Sequence, residues 1–263
     1  MEDYYTELDL IFSEAASIYD KKILSNFINI NIRKIELKTL IEYTRGRNSV
    51  LEIGCGTAEE ASKFILETGK KVTCLEISSG MIDFSTAKIR RLGISDNFMA
   101  VKGAASNIRS LGRSFDLIYS FNGALNTEPR IKETAEGIRD SLNHNGILIF
   151  SVRNRKCLGE ILLYSILGKR ENIRKRMEET TYVEVVGNKI GSTYYSPEEI
   201  RSIFKEFTLV KKKGLAIILP PYLAERVTSN FARQIISLMG MLLSSIPIFS
   251  SLGDEILYVF RKE

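Results

Sequence analysis

From residue 49 onward, short apolar runs alternate with longer stretches in which apolar residues recur at helical spacing. The runs predict strands at 49–53, 71–76, 98–101, 115–121 and 146–152, and the stretches between them predict helices around 58–68, 80–92 and 131–143. This alternation is typical of βαβ units with right-handed crossovers. We therefore predict an α/β fold with a doubly wound, mostly parallel sheet and helices on both faces.

The segments on either side of this region are less regular. Residues 7–44 have the spacing of two helices, and 222–243 predicts one long apolar helix between strands near 207–218 and 255–261. At Ser196, the sequence SPEEI combines an N-cap, a proline at the first helical position and a glutamate three residues later, which predicts a helix start. The last strand follows no ordinary crossover helix, which allows an antiparallel orientation.

Composition narrows the class of protein. The chain has 263 residues, 44% apolar and 26% charged, which suits one large α/β domain. No run reaches the roughly 18 apolar residues of a membrane span. One histidine and three cysteines without metal-ligand spacing predict no metal site and a reduced, cytoplasmic setting. The net charge of +5 permits an acidic partner, and the basic run at 169–176 predicts a solvated helix face.

The stretch SVLEIGCGTAEEA at 49–61 predicts a strand, a glycine turn and a helix, which is a common arrangement for holding a nucleotide cofactor. A dinucleotide-binding loop would have a third glycine where Glu59 stands. Glu52, Glu59 and Glu60 would repel a pyrophosphate but favour a ligand with a cation and no phosphate. Glu76, at the end of the second strand, can accept hydrogen bonds from ribose hydroxyls, as it would for either class of cofactor.

The sequence VLEIGCGTA resembles motif I of class I S-adenosylmethionine-dependent methyltransferases, and CLEISSGMI resembles their second motif. FDLIYSFNGALN at 115–126 is similar to the fourth-strand motif, and LNHNGILIFSV is similar to the turn and fifth strand. The resemblance implies a seven-stranded sheet whose last strand is antiparallel. It also implies methyl transfer with S-adenosylmethionine as cofactor and S-adenosylhomocysteine as product.

The resemblance also implies a set of cofactor-binding residues. They are Tyr19, Glu52, Gly54, Cys55, Gly56, Thr57, Glu76, Ile77, Met81, Ala104, Ala105, Ser120, Phe121 and Asn122. Two positions depart from the family pattern. Ala104 stands where the family usually has an aspartate that touches the adenine. Ala58 replaces the last glycine of motif I, and we expect it to lie in the first turn of a helix, where alanine is well tolerated.

Methyl transfer from a sulfonium is an in-line displacement that needs proximity, alignment and exclusion of water. The candidates for the catalytic side chains are Tyr19, Asn122, Asn126 and Tyr195. A turn-forming role for the asparagines and a core role for Tyr195 stay open. His144 and Asp116 fall at the amino ends of strands, away from the cofactor edge, and we expect structural roles for them.

We predict one domain over 1–263, with N-terminal helices at 1–45, a cofactor-binding core at 46–153 and two insertions, 154–195 and 220–252, that form a lid. The helix at 222–243 has an apolar stripe: Leu223, Val227, Phe231, Ile235, Leu238 and Leu242. This stripe fits a lid or core, a dimer face, or contact of residues 222–249 with a membrane surface. The oligomeric state is not determined.

The acceptor is predicted to be a small molecule, because the insertions leave the carboxyl ends of strands and no base-methylating motif follows the fourth strand. Similarity to quinone- and lipid-type methyltransferases favours an apolar acceptor. The alternatives are methylation of RNA or protein, suggested by the basic balance, and a cofactor-binding regulator without turnover, suggested by Ala104.

Overall fold

The computed structural model describes residues 2–178 and 180–263, with no description of the Thr180 side chain. The helices are α1 (Glu2–Leu24), α2 (Phe27–Glu42), α3 (Glu59–Thr68), α4 (Ser79–Arg91), α5 (Ile131–Ser141), α6 (Leu158–Ile166), α7 (Arg170–Met177), α8 (Pro197–Ile203), α9 (Pro221–Ala224) and α10 (Asn230–Ser244). The strands are β1 (Val50–Ile53), β2 (Val72–Glu76), β3 (Phe98–Lys102), β4 (Phe115–Ser120), β5 (Leu142–Arg153), β6 (Thr180–Val185), β7 (Asn188–Thr193), β8 (Phe207–Leu215) and β9 (Glu255–Lys262).

Seven strands form one sheet in the order β3-β2-β1-β4-β5-β9-β8. The first five are parallel, and β9 runs antiparallel to both β5 and β8. The predictions of a doubly wound, seven-stranded sheet and of an antiparallel last strand are confirmed. The sheet order changes direction between β1 and β4, so ligands are expected beyond the carboxyl ends of these strands.

Each face of the sheet carries one main hydrophobic cluster. On one face, Ile28 and Ile32 of α2 and Phe64 of α3 pack against the strands. On the other, Ile138 of α5 and Ile200 of α8 pack against the opposite side. The strands β1 and β2 are buried along their whole length because helices cover both faces of this parallel part of the sheet. This burial includes the acids Glu52 and Glu76.

Local capping signals fix several helix starts. The Asn26 side chain accepts hydrogen bonds from the backbone N–H groups of Ile28 and Asn29 at the start of α2. The capping box predicted at Ser196 is present. The Ser196 hydroxyl accepts from the Glu199 N–H, and the Glu199 carboxylate accepts from the Ser196 N–H. The chain is therefore steered from the insertion back into the domain by residues that are close in sequence.

The irregular segments differ from what the sequence predicts. The first insertion, predicted at 154–195, holds α6 and α7 and also the β6–β7 hairpin, which was not predicted. The long helix expected at 222–243 is two helices, α9 and α10. Of the apolar stripe, for which a lid or core, a dimer face and a membrane contact were left open, Leu223 is buried in the domain, whereas Phe231, Ile235, Leu238 and Leu242 are exposed. Of the described helices, none is long and apolar enough to cross a membrane.

Candidate cofactor and acceptor site

The glycine loop after β1 lies against the loop that follows β4. Gly54 has φ +71°, and a Cβ built on it would lie 2.4 Å from the Ala124 Cβ. Its backbone N–H donates to the Leu75 carbonyl at 2.8 Å, which joins the loop to β2. Gly56 also has a positive φ, +50°. Gly54 is required here both by its backbone conformation and by the close approach of the neighbouring loop.

We expected Ala58 to lie in the first turn of a helix, but it lies just before that turn. The α3 helix begins at Glu59, and Ala58 is its N-cap in the left-handed conformation, with φ 56° and ψ 35°. Its carbonyl accepts the first helical hydrogen bond, from the Ser62 N–H at 2.9 Å. An L-amino acid is strained in this region, so the glycine usual in motif I has a backbone reason.

Cys55 and Cys74 are far apart in sequence but form a disulfide, with a Cα–Cα distance of 6.0 Å. The parallel pairing of β1 with β2 explains this proximity, because it places Glu52 beside Cys74. Two of the three cysteines are therefore bonded to each other, and this bond links Cys55 of the glycine loop to β2. Cys157 is free and buried.

Glu76, the residue predicted to hold the ribose, is buried at the end of β2. Its carboxylate accepts from the backbone N–H of Gly56 at 2.8 Å and of Ser78 at 2.9 Å. Burial raises the pKa of Glu76, although these backbone hydrogen bonds act in the opposite direction. Glu76 thus joins the glycine loop to the start of α4 and keeps lone pairs for a ligand.

The helix α1 covers this part of the site. Asp9 accepts from the Ser79 N–H at 2.7 Å and pairs with Lys102 at 2.6 Å. Ser13 accepts from the Gly80 N–H at 2.9 Å. Further along α1, Tyr19 packs beside the buried Met81, in the same cluster as Ala15 and Ala16. Two predicted cofactor residues, Tyr19 and Met81, are therefore brought together by α1.

Ile77 packs against the N-terminal half of α1. The Thr57 hydroxyl donates to Asp20, which also pairs with Lys88. Asp20 follows the predicted Tyr19 directly but was not predicted as a site residue. A polar link thus runs from the glycine loop through α1 to α4.

At the carboxyl end of β3, Ala104 has no side chain that can accept a hydrogen bond, and the next residues turn through a 3-10 helix at Ala105–Leu111. A carboxylate comes instead from Glu128, which accepts from the Ser106 N–H at 3.2 Å and the Tyr5 hydroxyl at 2.5 Å. Glu128 is buried and lies after β4, so its contact with Ser106, two residues after Ala104, could not be deduced from β3 alone.

The end of β4 holds a second set of predicted residues. Ser120 donates to the Ile53 carbonyl at 2.9 Å, and Phe121 packs on Tyr119. Asn122 adopts a left-handed backbone, φ 57°, which agrees with a turn-forming role. Asn126 is buried, and its amide donates to the Thr193 carbonyl and accepts from the Arg153 N–H. Asn126 therefore connects β5, β7 and the loop after β4.

Tyr195 lies in the hydrophobic cluster with Phe150 and Tyr258, where burial raises its pKa to about 12. This position corresponds to the core role considered for it. Its neighbour Tyr194 instead lies under the Arg176 guanidinium, 5.2 Å from the ring centroid. Tyr194 and Tyr195 therefore belong to different environments.

The expectation that residues 169–176 form a solvated face is wrong for Arg176. This guanidinium is buried and pairs with Glu160 at 2.5 Å and with Asp254 at 2.8 Å. It also donates to the Asn154 carbonyl at 2.7 Å, beyond the end of β5. A charge that looks surface-exposed in the sequence thus holds the first insertion on the sheet.

Several buried charged residues were missed because α2 supplies them from outside the motifs. Arg33 pairs with Glu60, and Glu36 accepts from the Ser151 hydroxyl at 2.5 Å. Burial, and next the charge of Glu255, hold the pKa of Glu36 well above its usual range. The second oxygens of Glu36 and Glu255 have no hydrogen-bond partner among the described residues.

Glu52, the acid of motif I, faces this same side. It is buried and accepts from the Tyr119 hydroxyl at 2.9 Å. Burial, with the nearby charge of Glu60, raises its pKa well above the usual range. The carboxyl edge of the sheet is thus lined by buried acids and holds no phosphate-binding lysine in its glycine loop. This arrangement fits a cationic sulfonium ligand better than a pyrophosphate.

The comparisons with known proteins agree with this geometry. Residues 50–146 match the sequence model described as a methyltransferase domain. An uncharacterized protein of Methanocaldococcus jannaschii is 24% identical over 253 residues, which are 94% of this chain and 91% of that protein. The ubiquinone/menaquinone biosynthesis C-methyltransferase of Haemophilus ducreyi is 26% identical over 127 residues, 46% of this chain and 48% of that protein.

The crystal structure of an S-adenosylmethionine-dependent methyltransferase from Clostridium acetobutylicum superposes with a TM-score of 0.59 at 16% identity, and the match covers 94% of this chain and 97% of that one. The chain therefore has the class I, Rossmann-like methyltransferase fold. Residues 50–146 therefore match a methyltransferase domain, and the chain as a whole has the fold of S-adenosylmethionine-dependent methyltransferases. The cofactor predicted from the sequence is confirmed.

Proposed function

We propose that the protein transfers the methyl group of S-adenosylmethionine to a small-molecule, apolar acceptor by in-line displacement. The observation that carries this proposal is that α1, the β6–β7 hairpin and the loop after β4 contact one another above the carboxyl ends of β4 and β5. We call this layer the roof. There, the Tyr4 hydroxyl of α1 donates to the Thr127 carbonyl at 2.8 Å and lies 3.4 Å from the Gly191 carbonyl of the hairpin. Leu8 and Ile11 of α1 pack with Ile190 beside this contact.

This roof favours a small acceptor because α1, the β6–β7 hairpin and the loop after β4 close against one another over the sheet. A folded protein or a duplex RNA could reach this edge only if these contacts opened. A closed site also excludes water, which a displacement at a sulfonium carbon requires.

In this proposal, the loop of Gly54 and Gly56 holds the methionine part of the cofactor, and the Glu76 carboxylate accepts hydrogen bonds from the ribose hydroxyls of the cofactor. When bound, S-adenosylmethionine supplies an electrophilic methyl group. In this proposal, Asn122 in the turn after β4 orients the acceptor, and Tyr19, which packs beside Met81, lines the cofactor. Asn126 acts through others, since its amide is already bonded to backbone groups of β5 and β7.

An acceptor that must lose a proton would find a candidate base in Glu36. It is fully buried, its pKa is raised, and its Oε2 lacks a partner among the described residues. A carboxylate with a raised pKa is better matched to proton abstraction near neutral pH than an exposed one. For an acceptor that is already nucleophilic, proximity and alignment suffice.

The apolar nature of the acceptor is supported by one relative. The Haemophilus ducreyi protein is, by its name, a C-methyltransferase of ubiquinone and menaquinone biosynthesis, and it matches 127 residues of this chain.

The test is to incubate the protein with methyl-labelled S-adenosylmethionine and an extract of its source cells, and then to separate lipids, small polar molecules, RNA and protein. Label in the solvent-extractable fraction is the expected result. The Glu76→Ala variant, which weakens cofactor binding, should lose this labelling. Label only in RNA or protein would refute a small-molecule acceptor.

A regulator without turnover is the alternative suggested by Ala104, and Glu128 now argues against it by bringing a carboxylate to the same region. Calorimetry with S-adenosylhomocysteine distinguishes the two. Tight binding of the product without label in any fraction would favour the regulator. Binding together with transfer supports the enzyme.

A further inference from the structure

The helix α10 and the 3-10 turn at Pro247–Phe249 present an apolar surface to solvent. We call this surface the α10 face; its main residues are Phe231, Ile235, Leu238, Leu242, Ile246 and Ile248. The exposed fractions are large, 73% for Phe231, 56% for Leu238 and 75% for Ile248. Contiguous exposed apolar residues of this kind mark contact sites.

The opposite side of α10 is already seated on the domain. Ile236 packs against the hydrophobic cluster between α2 and the sheet. The Asn31 side chain of α2 donates to the Ser237 hydroxyl at 2.7 Å. Ser244 donates to the Gly214 carbonyl at the same distance. One side of α10 therefore holds the helix on the domain through these contacts. The α10 face lies on the other side and stays exposed.

The segment that carries the α10 face has charges of only one sign. Between Glu225 and Asp254 the sequence contains no aspartate or glutamate, whereas Arg226 and Arg233 are present. Arg233 is turned inward, where it donates to the Val227 carbonyl and lies over the Phe27 ring. The absence of acids over this whole segment is unusual for an exposed surface and favours an anionic partner.

A basic groove lies at the carboxyl end of α10. Its volume is about 330 Å³, and it is lined by Lys211, Lys212 and Lys213 of β8 together with residues 244–247 and Ser250. Lys211 pairs with Glu42 at 2.9 Å, and Lys212 donates to Ser251. Burial, and next the charges of Lys211 and Lys38, lower the pKa of Lys213.

A second copy of the chain would fit this surface poorly. In a two-fold dimer the same patch meets itself, so the basic groove would face another region without acids between Glu225 and Asp254. A bilayer containing anionic lipids provides both complements, because apolar side chains enter the headgroup–acyl boundary while lysines contact lipid phosphates.

We propose that the α10 face and the adjoining lysine groove dock the protein on the surface of membranes that contain anionic lipids. This inference is independent of the acceptor and of the chemistry at the sheet edge. It requires only that the α10 face be exposed and that basic residues border it.

The test is sedimentation of the whole protein with vesicles of phosphatidylcholine alone or mixed with phosphatidylglycerol. We expect binding to the mixed vesicles, weakened by added salt, and little binding to the neutral ones. Leu238→Glu should abolish binding. Lys213→Gln should weaken it about fivefold, which corresponds to about 1 kcal/mol for one basic residue near an anionic surface.

Leu66→Glu is the matched control, because Leu66 is 58% exposed on α3 and Leu238 is 56% exposed on α10. Both substitutions place an acid at an exposed helical leucine, and circular dichroism checks that both variants are folded. The proposal is overturned if the mixed vesicles fail to bind the wild type at low salt, or if both variants lose binding equally. A dimer that Leu238→Glu dissociates, without vesicle binding, would assign the face to a second copy instead.

Discussion

Replacing Ala58 with glycine tests whether the cofactor loop carries backbone strain. Ala58 is fully buried and has φ 56° at the N-cap of α3. The left-handed conformation costs an L-residue about 1–2 kcal/mol, a cost that glycine does not share. Against this relief, the variant loses a buried methyl group, about 0.8 kcal/mol. It also gains the greater freedom of glycine in the unfolded chain, about 0.5–1 kcal/mol.

These contributions nearly cancel, so we expect Ala58→Gly to change the free energy of unfolding by less than about 1 kcal/mol. Ala61→Gly is the matched control. Ala61 is also fully buried, belongs to the same hydrophobic cluster and lies three residues further along, inside α3. There, glycine loses the same methyl group and gains no relief, so the expected loss is roughly 1.5–2 kcal/mol.

The measurement is urea unfolding followed by circular dichroism, with the wild type and both variants compared at their midpoints. Equal slopes would show that the variants unfold to similar states, so that midpoint shifts report stability. The predicted quantity is the difference between the two variants, about 1–2 kcal/mol in favour of Ala58→Gly. If Ala58→Gly is as destabilising as Ala61→Gly, or more so, the strain argument is refuted.

Three further predictions concern the charged side chains of the site. Glu76→Ala should weaken S-adenosylhomocysteine binding by about 1.5–3 kcal/mol in calorimetry. The control is Glu67→Ala, at an exposed position. Unchanged affinity of the Glu76→Ala variant would show that the ribose lies elsewhere. For Asp9, burial acts to raise the pKa, but the hydrogen bonds from Lys102 and from the backbone outweigh it and leave the pKa lowered. Asp9 therefore stabilises the fold above its ordinary pKa of 3.8, and this stability is lost as the pH falls through the lower folded value. Asp9→Asn should make unfolding less dependent on pH in that acid range, and acid titrations identical to the wild type would contradict this. Arg176→Met should destabilise the protein by about 3–5 kcal/mol in thermal or urea unfolding, because it leaves the buried Glu160 and Asp254 without their partner. The same change at the exposed Arg174 should have little effect. Equal losses of stability would show that burial of Arg176 is unimportant.

Much of the cofactor half could be predicted from the sequence because its signals are local. The strand ending at Ile53, the turn at Gly54 and the acid at Glu76 follow one another within βαβ units whose geometry is nearly fixed. Apart from one strand end, predicted and observed strand boundaries in this half differ by no more than one residue. The start of β5 at Leu142 is the exception, since its early residues continue directly from α5.

The backbone conformation of Ala58 was not predictable, because alanine normally favours the right-handed region and its residue type gave no sign of strain. The hairpin at 180–193 was missed for a different reason. Its strands have mixed polar and apolar residues, since one side packs on α1 while the other faces solvent. Without α1 in place, that pattern does not distinguish a hairpin from an irregular insertion.

By itself, the sequence determined the order of strands and helices, the parallel sheet and the preference of the glycine loop for a cation over a phosphate. These properties depend on residues a few positions apart. Only the tertiary structure decided that Cys55 meets Cys74, that Glu128 lies beside Ser106 and that Leu238 faces solvent. Each of these results depends on how distant elements pack, and helical spacing identifies an apolar stripe without specifying which surface, if any, will cover it.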